Sequence, residues 1–211
     1  HLIYYIPDRY NEGYGISFQG IEAAEAQNIS LIIALDCGIK AIDQIAFAHD
    51  KNIDFIICDH HTPGNQIPNA HAILNPKQQN CSYPYKELSG CGIGFKLCQA
   101  LESKLNIDAE KVFNLLDLVA ISIACDIVPL NGENRVLASM GLQLINSHPK
   151  PNIASILESK NKKTSISDLV FQAGPRINAA GRISSGKTAV DLLLANSSEE
   201  ISFFSNQISN Y

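Results

Sequence analysis

The chain has 211 residues, a hydrophobic content of 45% and a formal net charge of −5 at pH 7. This length suffices for one large or two small domains with a buried core. No apolar run reaches the roughly 18 residues that a membrane helix needs, which excludes a spanning protein and predicts no membrane partner. The acidic balance gives no basic-protein signal, so any nucleic-acid partner has to be argued from local sites.

The first half of the chain alternates predicted strands and helices. Apolar runs rich in β-branched residues indicate strands, and apolar residues at helical spacing indicate helices. Short strand–helix–strand connections are typical of right-handed βαβ units, so we expect an α/β fold with a parallel sheet flanked by helices. The predicted elements are strands at 2–6, 31–35, 52–61 and 71–75, and helices at 18–27 and 39–50.

From about residue 89 the pattern becomes helical, and a helical extension is predicted to follow the sheet. Pro149-Lys150-Pro151 is the best candidate for a hinge between the two parts. We therefore expect an α/β domain at 1–148 and a helical extension or connector at 149–211. The predicted helices lie at 92–104, 109–125, 133–147, 153–160, 187–195 and 197–207.

The six cysteines indicate a reducing compartment. They form no CxxC pair and no zinc-finger spacing. Reduced cysteine behaves as a small hydrophobe, which suits buried strand ends and helix faces, and we expect a cytoplasmic protein. No secretory signal is visible and the first residue is His1, so we also expect an excised piece of a longer protein.

An acid and two imidazoles end the predicted strand at 52–61. Asp59, His60 and His61 directly follow an apolar run, and three such groups are costly to bury without partners. Asp36 ends the preceding predicted strand, so its carboxylate is expected in the same crevice at the carboxyl edge of the sheet. Taken alone, Asp36 would fit a satisfied strand-end acid equally well.

A further acid, Asp126, follows a long apolar helix and precedes a stop at Pro129. A capping role is disfavoured, because a helix C-terminus repels negative charge. Carboxylates with imidazoles suit Mn²⁺ or Mg²⁺, and a bridging carboxylate suits two metals roughly 3.5–4 Å apart. Asp117, earlier on the same predicted helix, is expected to be a surface acid rather than a ligand.

A series of short motifs runs in one order along nearly the whole chain. They are residues 6–9 (Ile-Pro-Asp-Arg), 12–15 (Glu-Gly-Tyr-Gly), 35–38 (Leu-Asp-Cys-Gly), 59–61 (Asp-His-His), 89–92 (Ser-Gly-Cys-Gly) with Lys96, 124–130 (Ala-Cys-Asp-Ile-Val-Pro-Leu) and 174–182 (Gly-Pro-Arg-Ile-Asn-Ala-Ala-Gly-Arg). The tripeptide alone would be a weak signal. The series resembles the DHH phosphoesterase superfamily and, within it, the RecJ branch of single-strand-specific exonucleases.

The resemblance implies a two-metal centre, usually Mn²⁺, that cuts phosphodiesters of single-stranded DNA from 5′ to 3′ in repair and recombination. It implies that Asp36 bridges the two metals and that His60 and Asp126 complete the shell of one. His61 would contact the scissile phosphate or assist proton transfer. Asp59 would orient a histidine rather than bind metal directly.

The resemblance also implies contacts to DNA, each with a structural alternative. Arg9 would grip a 5′ phosphate through its bidentate guanidinium, or be a solvated charge. Arg176, Asn178 and Arg182 lie in the segment 174–182, which would line a groove for the single strand or merely lock a turn to the core. The main-chain N–H groups at the predicted start of a helix would cradle a phosphate, or form a packing turn. Those residues are Ser89, Gly90 and Gly92.

Two family features are expected outside this chain: an Asp-x-Asp strand end before Leu2 and a further domain after Tyr211. We therefore expect the 211 residues to fold, to hold one metal weakly and to have little nuclease activity alone. Two alternatives stay open. One is a DHH phosphoesterase for short oligonucleotides or cyclic dinucleotides, which the segment 174–178 disfavours. The other is a non-catalytic replication scaffold, which has no need of the intact acids and histidines.

Overall fold

The computed structural model of the chain describes residues 2–157, 163–183 and 186–209, without the side chains of 181–183 and 209. The chain divides into two compact units. The first comprises residues up to 112 together with 132–134, and the second comprises 113–131 and the residues from 135 onward. No helix in the described ranges has the length and apolar character needed to cross a bilayer.

A three-stranded parallel sheet forms the centre of the first unit. Its strands β1 (Leu31–Leu35), β2 (Asp54–Cys58) and β3 (Ala72–Leu74) lie in that order. The register pairs Leu35 with Cys58 and Cys58 with Leu74, so all three strands end at one edge. The residues that follow each strand therefore lie close together at this carboxyl edge.

Helices cover both faces of this sheet. Helices α1 (Phe18–Ala26) and α2 (Ile42–Asp50) pack on the face that carries Phe55 and Ile57, both fully buried. Helix α3 (Gly90–Leu105) packs on β1 and β2 from the face that carries Leu35. The predicted α/β fold with a flanked parallel sheet is confirmed. So are the predicted elements from residue 18 to residue 75, with shorter ends.

The strand predicted at 2–6 is wrong. The sheet of the described residues has three strands and does not include this segment, which has no regular secondary structure. Leu2, Ile3, Tyr4 and Tyr5 are exposed. An apolar, β-branched run favours extended backbone, but a strand also needs a neighbouring strand to complete its ladder.

The second unit is helical in its described residues. A buried cluster that includes Ala120, Ile153, Leu169 and Leu192 forms its core. The helix predicted at 109–125 is broken by a turn, and the helices predicted near 133–147, 187–195 and 197–207 are confirmed. After α4 (Ala109–Phe113) follow α5 (Leu116–Cys125), α6 (Gly132–Ser147), α7 (Pro151–Ser155), α8 (Ile166–Asp168), a π-helical turn (Leu169–Ala173), α9 (Gly174–Ile183), α10 (Gly186–Leu194) and α11 (Ser198–Ser209).

The turn before α5 explains why Asp117 is not the surface acid that we predicted. Asp117 is buried, and its carboxylate pairs with Lys150 Nζ at 2.7 Å. The same Nζ donates to the carbonyl of Asn114 at 2.5 Å, at the point where the helix is interrupted. The predicted hinge at 149–151 therefore lies inside the second unit. A domain boundary at residue 148 stays a prediction.

The segment 174–182 is helical rather than a turn. A proline inside a helix removes one main-chain hydrogen bond and clashes with the carbonyl four residues earlier. Here the π-helical turn directly precedes Gly174 and Pro175, which widens the helix where that carbonyl lies. A Cβ on Gly174 would lie 2.8 Å from Cys125 Sγ, so glycine allows the start of α9 to approach the end of α5.

Candidate metal centre

Asp36 is the first side chain of the site at the carboxyl edge of the sheet. Its main-chain N–H donates to Cys58 O at 2.8 Å, which extends the ladder by one residue. Its φ of 63° lies in the left-handed region that aspartate tolerates better than most residues. The side chain is 59% exposed, and Oδ1 lies 3.2 Å from His60 Nε2. The turn of the backbone thus directs the carboxylate toward the residues that follow β2.

His60 is buried, and its ring orientation determines which nitrogen faces the site. Nδ1 lies 3.1 Å from the carbonyl oxygen of Leu88. A carbonyl can only accept, so the neutral ring carries its proton on Nδ1 and its Nε2 lone pair faces Asp36. Two acceptors 3.2 Å apart need positive charge on or between them. A proton on the ring or a bound cation would satisfy this requirement.

Asp59 is buried and holds His61. Its Oδ1 accepts hydrogen bonds from the main-chain N–H and from Nδ1 of His61, at 3.1 and 2.6 Å, and its Oδ2 accepts from Ile39 N–H at 2.9 Å. Burial raises the pKa of Asp59, but these hydrogen bonds outweigh it, so the pKa lies below its usual value of 3.8. The resulting carboxylate orients the ring of His61, which is 58% exposed, and leaves its Nε2 for the site.

Three of the predicted residues meet at one point. Asp36, His60 and His61 each offer one ligand atom, and these three atoms lie within 4.8 Å of one another. The two imidazole rings lie edge to face with centroids 4.6 Å apart. One carboxylate and two imidazole nitrogens at this spacing form a ligand set that suits Mn²⁺ and similar divalent cations. The residues present therefore fit a metal, with Asp59 holding one of them.

The start of α3 closes the site beside Asp36. A Cβ on Gly90 would lie 2.0 Å from Asp36 Oδ1 and 2.7 Å from its Cβ, so this position has no space for a side chain. Ser89 caps the helix, because its hydroxyl accepts from Gly92 N–H at 3.2 Å. The positive end of the helix dipole favours the nearby carboxylate. These contacts agree with the packing alternative, and a phosphate cradle stays a prediction.

Arg9 lies in a loop that is ordered by its own side chains. Asp8 accepts the main-chain N–H groups of Tyr10 and Asn11, at 2.8 and 3.2 Å. The guanidinium of Arg9 donates to the hydroxyl of Tyr14 at 2.6 Å and lies 4.7 Å from the centre of its exposed ring. A grip on a 5′ phosphate stays a prediction.

Acidification is expected to loosen this loop through Glu12. Burial raises the pKa of Glu12, but donors from Ser17, Asp8 and Tyr5 lower it below the usual 4.5 overall. Because the pKa is depressed in the folded state, this stabilisation is complete above pH 4.5 and is lost as the pH falls through the lower folded value. Relaxation of the Asp8 amide by NMR should report new motion there. Glu12→Gln should remove the pH dependence, and a loop that stays rigid through about pH 3 would contradict the prediction.

The remaining predicted site residues belong to the second unit. Asp126 occupies the C-cap position of α5 with extended backbone, contrary to our argument against that position. Its Oδ1 accepts from Ile127 N–H at 2.8 Å, so the carboxylate turns away from the helix carbonyls that would repel it. Arg176 and Asn178 lie on α9, where Asn178 is exposed. The side chain of Arg182 lies outside the described residues. The predicted roles of these four residues stay predictions.

Sequence reasoning missed the groups that hold the two histidines from behind. They are the Leu88 carbonyl, the Ile39 N–H and the side chain of Asn75, which donates to His61 O at 2.9 Å. Two of the three are main-chain groups, which carry no residue-specific signal. Asn75 did carry one, because it directly follows a predicted strand of the same parallel sheet and so had to lie at the same edge.

Relatives with known names cover almost the whole chain. The single-stranded-DNA-specific exonuclease RecJ of Bacillus subtilis (strain 168) is 39% identical over 204 residues, which is 93% of this chain and 25% of that protein. The protein of the same name from Escherichia coli (strain K12) is 37% identical over 221 residues, 99% of this chain and 38% of that protein. The chain thus spans only about a quarter to two fifths of the length of these relatives.

Solved structures and a family match agree with these relatives. A crystal structure of exonuclease RecJ bound to manganese superimposes with a TM-score of 0.86 at 26% identity, over 98% of this chain and 52% of that one. RecJ from Thermus thermophilus in complex with Mn²⁺ gives 0.80 at 24% identity, over 92% of this chain and 29% of that one, which supports the fold alone. Residues 1–123 match the DHH family, N-terminal domain. The chain belongs to the DHH family.

Proposed function

We propose that this chain is the core of a metal-dependent phosphodiesterase that degrades single-stranded DNA. The observation that carries the proposal is the meeting of Asp36, His60 and His61 at the carboxyl edge of the sheet. This edge is where open α/β sheets bind ligands. The relatives named above are called single-stranded-DNA-specific exonucleases, and this supports the choice of substrate.

In this proposal Asp36 and His60 bind Mn²⁺ or Mg²⁺, and Asp126 is a further ligand. His60 donates its Nδ1 proton to Leu88 O, which fixes the ring with Nε2 toward Asp36. A bound divalent cation would supply polarisation of the phosphoryl group and a nucleophile near neutral pH. Two cations, with Asp36 between them, are proposed for the whole protein.

His61 is proposed to act on the scissile phosphate. Asp59 holds the Nδ1 proton of His61, so the neutral ring accepts a proton at Nε2. The protonated ring donates a hydrogen bond from the same atom to a phosphate oxygen. Because the ring is more than half exposed, it can approach a phosphate without displacing the core. His61 is therefore the proposed catalytic residue, and Asp59 positions it.

The remaining assignments are proposed from the family resemblance. Arg9 binds a 5′ phosphate and gives the enzyme a 5′-to-3′ direction, in DNA repair and recombination. The start of α3 and the α9 side chains Arg176, Asn178 and Arg182 contact the strand. Residues 1–148 act as the phosphoesterase core and 149–211 as a helical connector. All six cysteines are free thiols, which supports a cytoplasmic location.

Thermal melting of the chain in Mn²⁺ tests the metal site. At about a hundred times the dissociation constant, a cation that binds only the folded state adds about 2.7 kcal/mol. For a protein of this size the melting midpoint should then rise by roughly 5–10 °C. A midpoint that stays constant up to millimolar Mn²⁺ would refute the proposal. A 5′-phosphorylated oligonucleotide, single-stranded or annealed, tests the substrate, and faster cleavage of the duplex would refute that part.

A further inference from the structure

We infer that Asn75 is a positioning residue for His61. This inference rests on the proposed role of His61 at the metal centre. Asn75 directly follows β3 and is 3% exposed. Its Nδ2 donates to the carbonyl oxygen of His61 at 2.9 Å, and its Oδ1 accepts from Lys77 N–H at 2.8 Å. The side chain thus joins the end of β3 to the last residue of the Asp-His-His segment.

The position of His61 depends on hydrogen bonds because packing fixes it only partly. Its side chain is more than half exposed, and the next residues, around Pro63 and Gly64, form a largely exposed loop. Asp59 holds the main-chain N–H and the ring from one side. Asn75 holds the main-chain carbonyl from the other side. His61 is therefore clamped at both ends of its own backbone.

The end of β3 is a firm anchor for this clamp. Leu74 O accepts from Asp59 N–H at 3.0 Å, which continues the parallel ladder past the end of β2. Gln78 Nε2 donates to the carbonyl oxygens of Ile73 and Asn75, at 3.2 and 3.1 Å. Consecutive residues of β3 and its extension thus hold both ends of the segment 59–61. Loss of the Asn75 amide would release only the His61 end.

Asparagine is suited to this position by its chemistry. Its amide offers a donor and an acceptor at once, and the clamp uses both, whereas an aspartate of the same shape keeps the acceptor and loses the donor. Asn75→Asp would therefore retain the contact with Lys77 and break the one with His61. The added negative charge would by itself strengthen cation binding. A weaker affinity in this variant would therefore report the lost position of His61.

Asn152 provides a matched control in the second unit. Its Nδ2 donates to Leu193 O at 2.7 Å and its Oδ1 accepts from Ile153 N–H at 2.8 Å, so it makes the same two kinds of contact in a buried position. Asn152→Asp should cost stability without touching the centre. Asn75→Ala is the second variant, since it adds no charge.

The experiment compares wild type, Asn75→Asp, Asn75→Ala and Asn152→Asp by two measurements. In metal-free protein, NMR relaxation should show new motion of the His61 amide and ring in both Asn75 variants alone. In Mn²⁺ titrations, both should bind about tenfold more weakly, at the low end of the effect of residues that orient metal ligands. Unchanged His61 relaxation in both, or equal loss in Asn152→Asp, would overturn the inference. If wild type binds no Mn²⁺, the proposed function fails, while the metal-free measurement still decides the role of Asn75.

Discussion

His60→Ala is expected to abolish the stabilisation of the chain by Mn²⁺. The substitution removes the buried imidazole whose Nε2 faces Asp36 at 3.2 Å. If the affinity falls about a hundredfold, a cation concentration that stabilised wild type by about 2.7 kcal/mol adds only about 0.4 kcal/mol to the variant. The rise in the melting midpoint should then shrink to roughly 1–2 °C. Cleavage of single-stranded DNA should fall at least about a hundredfold, because the proposed chemistry needs the cation.

His71→Ala is the matched control for this prediction. His71 is an exposed histidine of the same unit that lies at the start of β3, away from the carboxyl edge. Its removal should leave the Mn²⁺-dependent rise unchanged. Equal rises in wild type and His60→Ala would show that the cation binds elsewhere. The melting midpoint of each variant without metal separates lost binding from lost folding.

Gly90→Ala is expected to weaken Mn²⁺ binding at least about tenfold through Asp36. The new Cβ would lie 2.0 Å from Asp36 Oδ1 and 2.7 Å from Asp36 Cβ. Rotation of the exposed carboxylate relieves the first clash, but the second requires a shift of the backbone. Either movement breaks the approach of Oδ1 to His60 Nε2. Overpacking of this kind costs about 1–3 kcal/mol of stability, which calorimetry and Mn²⁺ titration of the same samples would separate.

Gly94→Ala, one helical turn further along α3, controls for the change in helix propensity. Its Cβ would meet only Leu35 Cδ2, at an ordinary distance of 3.4 Å. Alanine inside a helix is favoured over glycine by about 1 kcal/mol, so this variant should melt at the same or a higher temperature. It should bind Mn²⁺ as wild type does. An equal loss of affinity in both variants would mean that α3 as a whole, and not the Gly90 contact, controls the site.

The position of the site followed from the sequence because of one physical rule. Parallel strands end at the same edge, so polar residues that follow consecutive strands come together. This rule placed Asp36 with His60 and His61, and the register of β1 and β2 bears it out. The same rule applied to β3 would have identified Asn75. We did not apply it there because an asparagine before a proline also fits an ordinary turn.

Other features depended on contacts that no residue pattern contains. The clash that reserves position 90 for glycine arises from the close approach of α3 to Asp36, which only packing decides. The segment at 2–6 has a strand composition but forms no strand, because pairing depends on a neighbour. Pro175 argued against a helix at 174–182, and the π-helical turn that accommodates it has no simple sequence signal.

Anomalous X-ray scattering at the manganese absorption edge, from crystals of the chain grown with Mn²⁺, tests the central claim most directly. The result we predict is a manganese peak within bonding distance of Asp36 Oδ1 and His60 Nε2, next to the ring of His61. A strong peak elsewhere on the protein, with these three side chains still held as described, would contradict the assignment of this cluster as the metal centre.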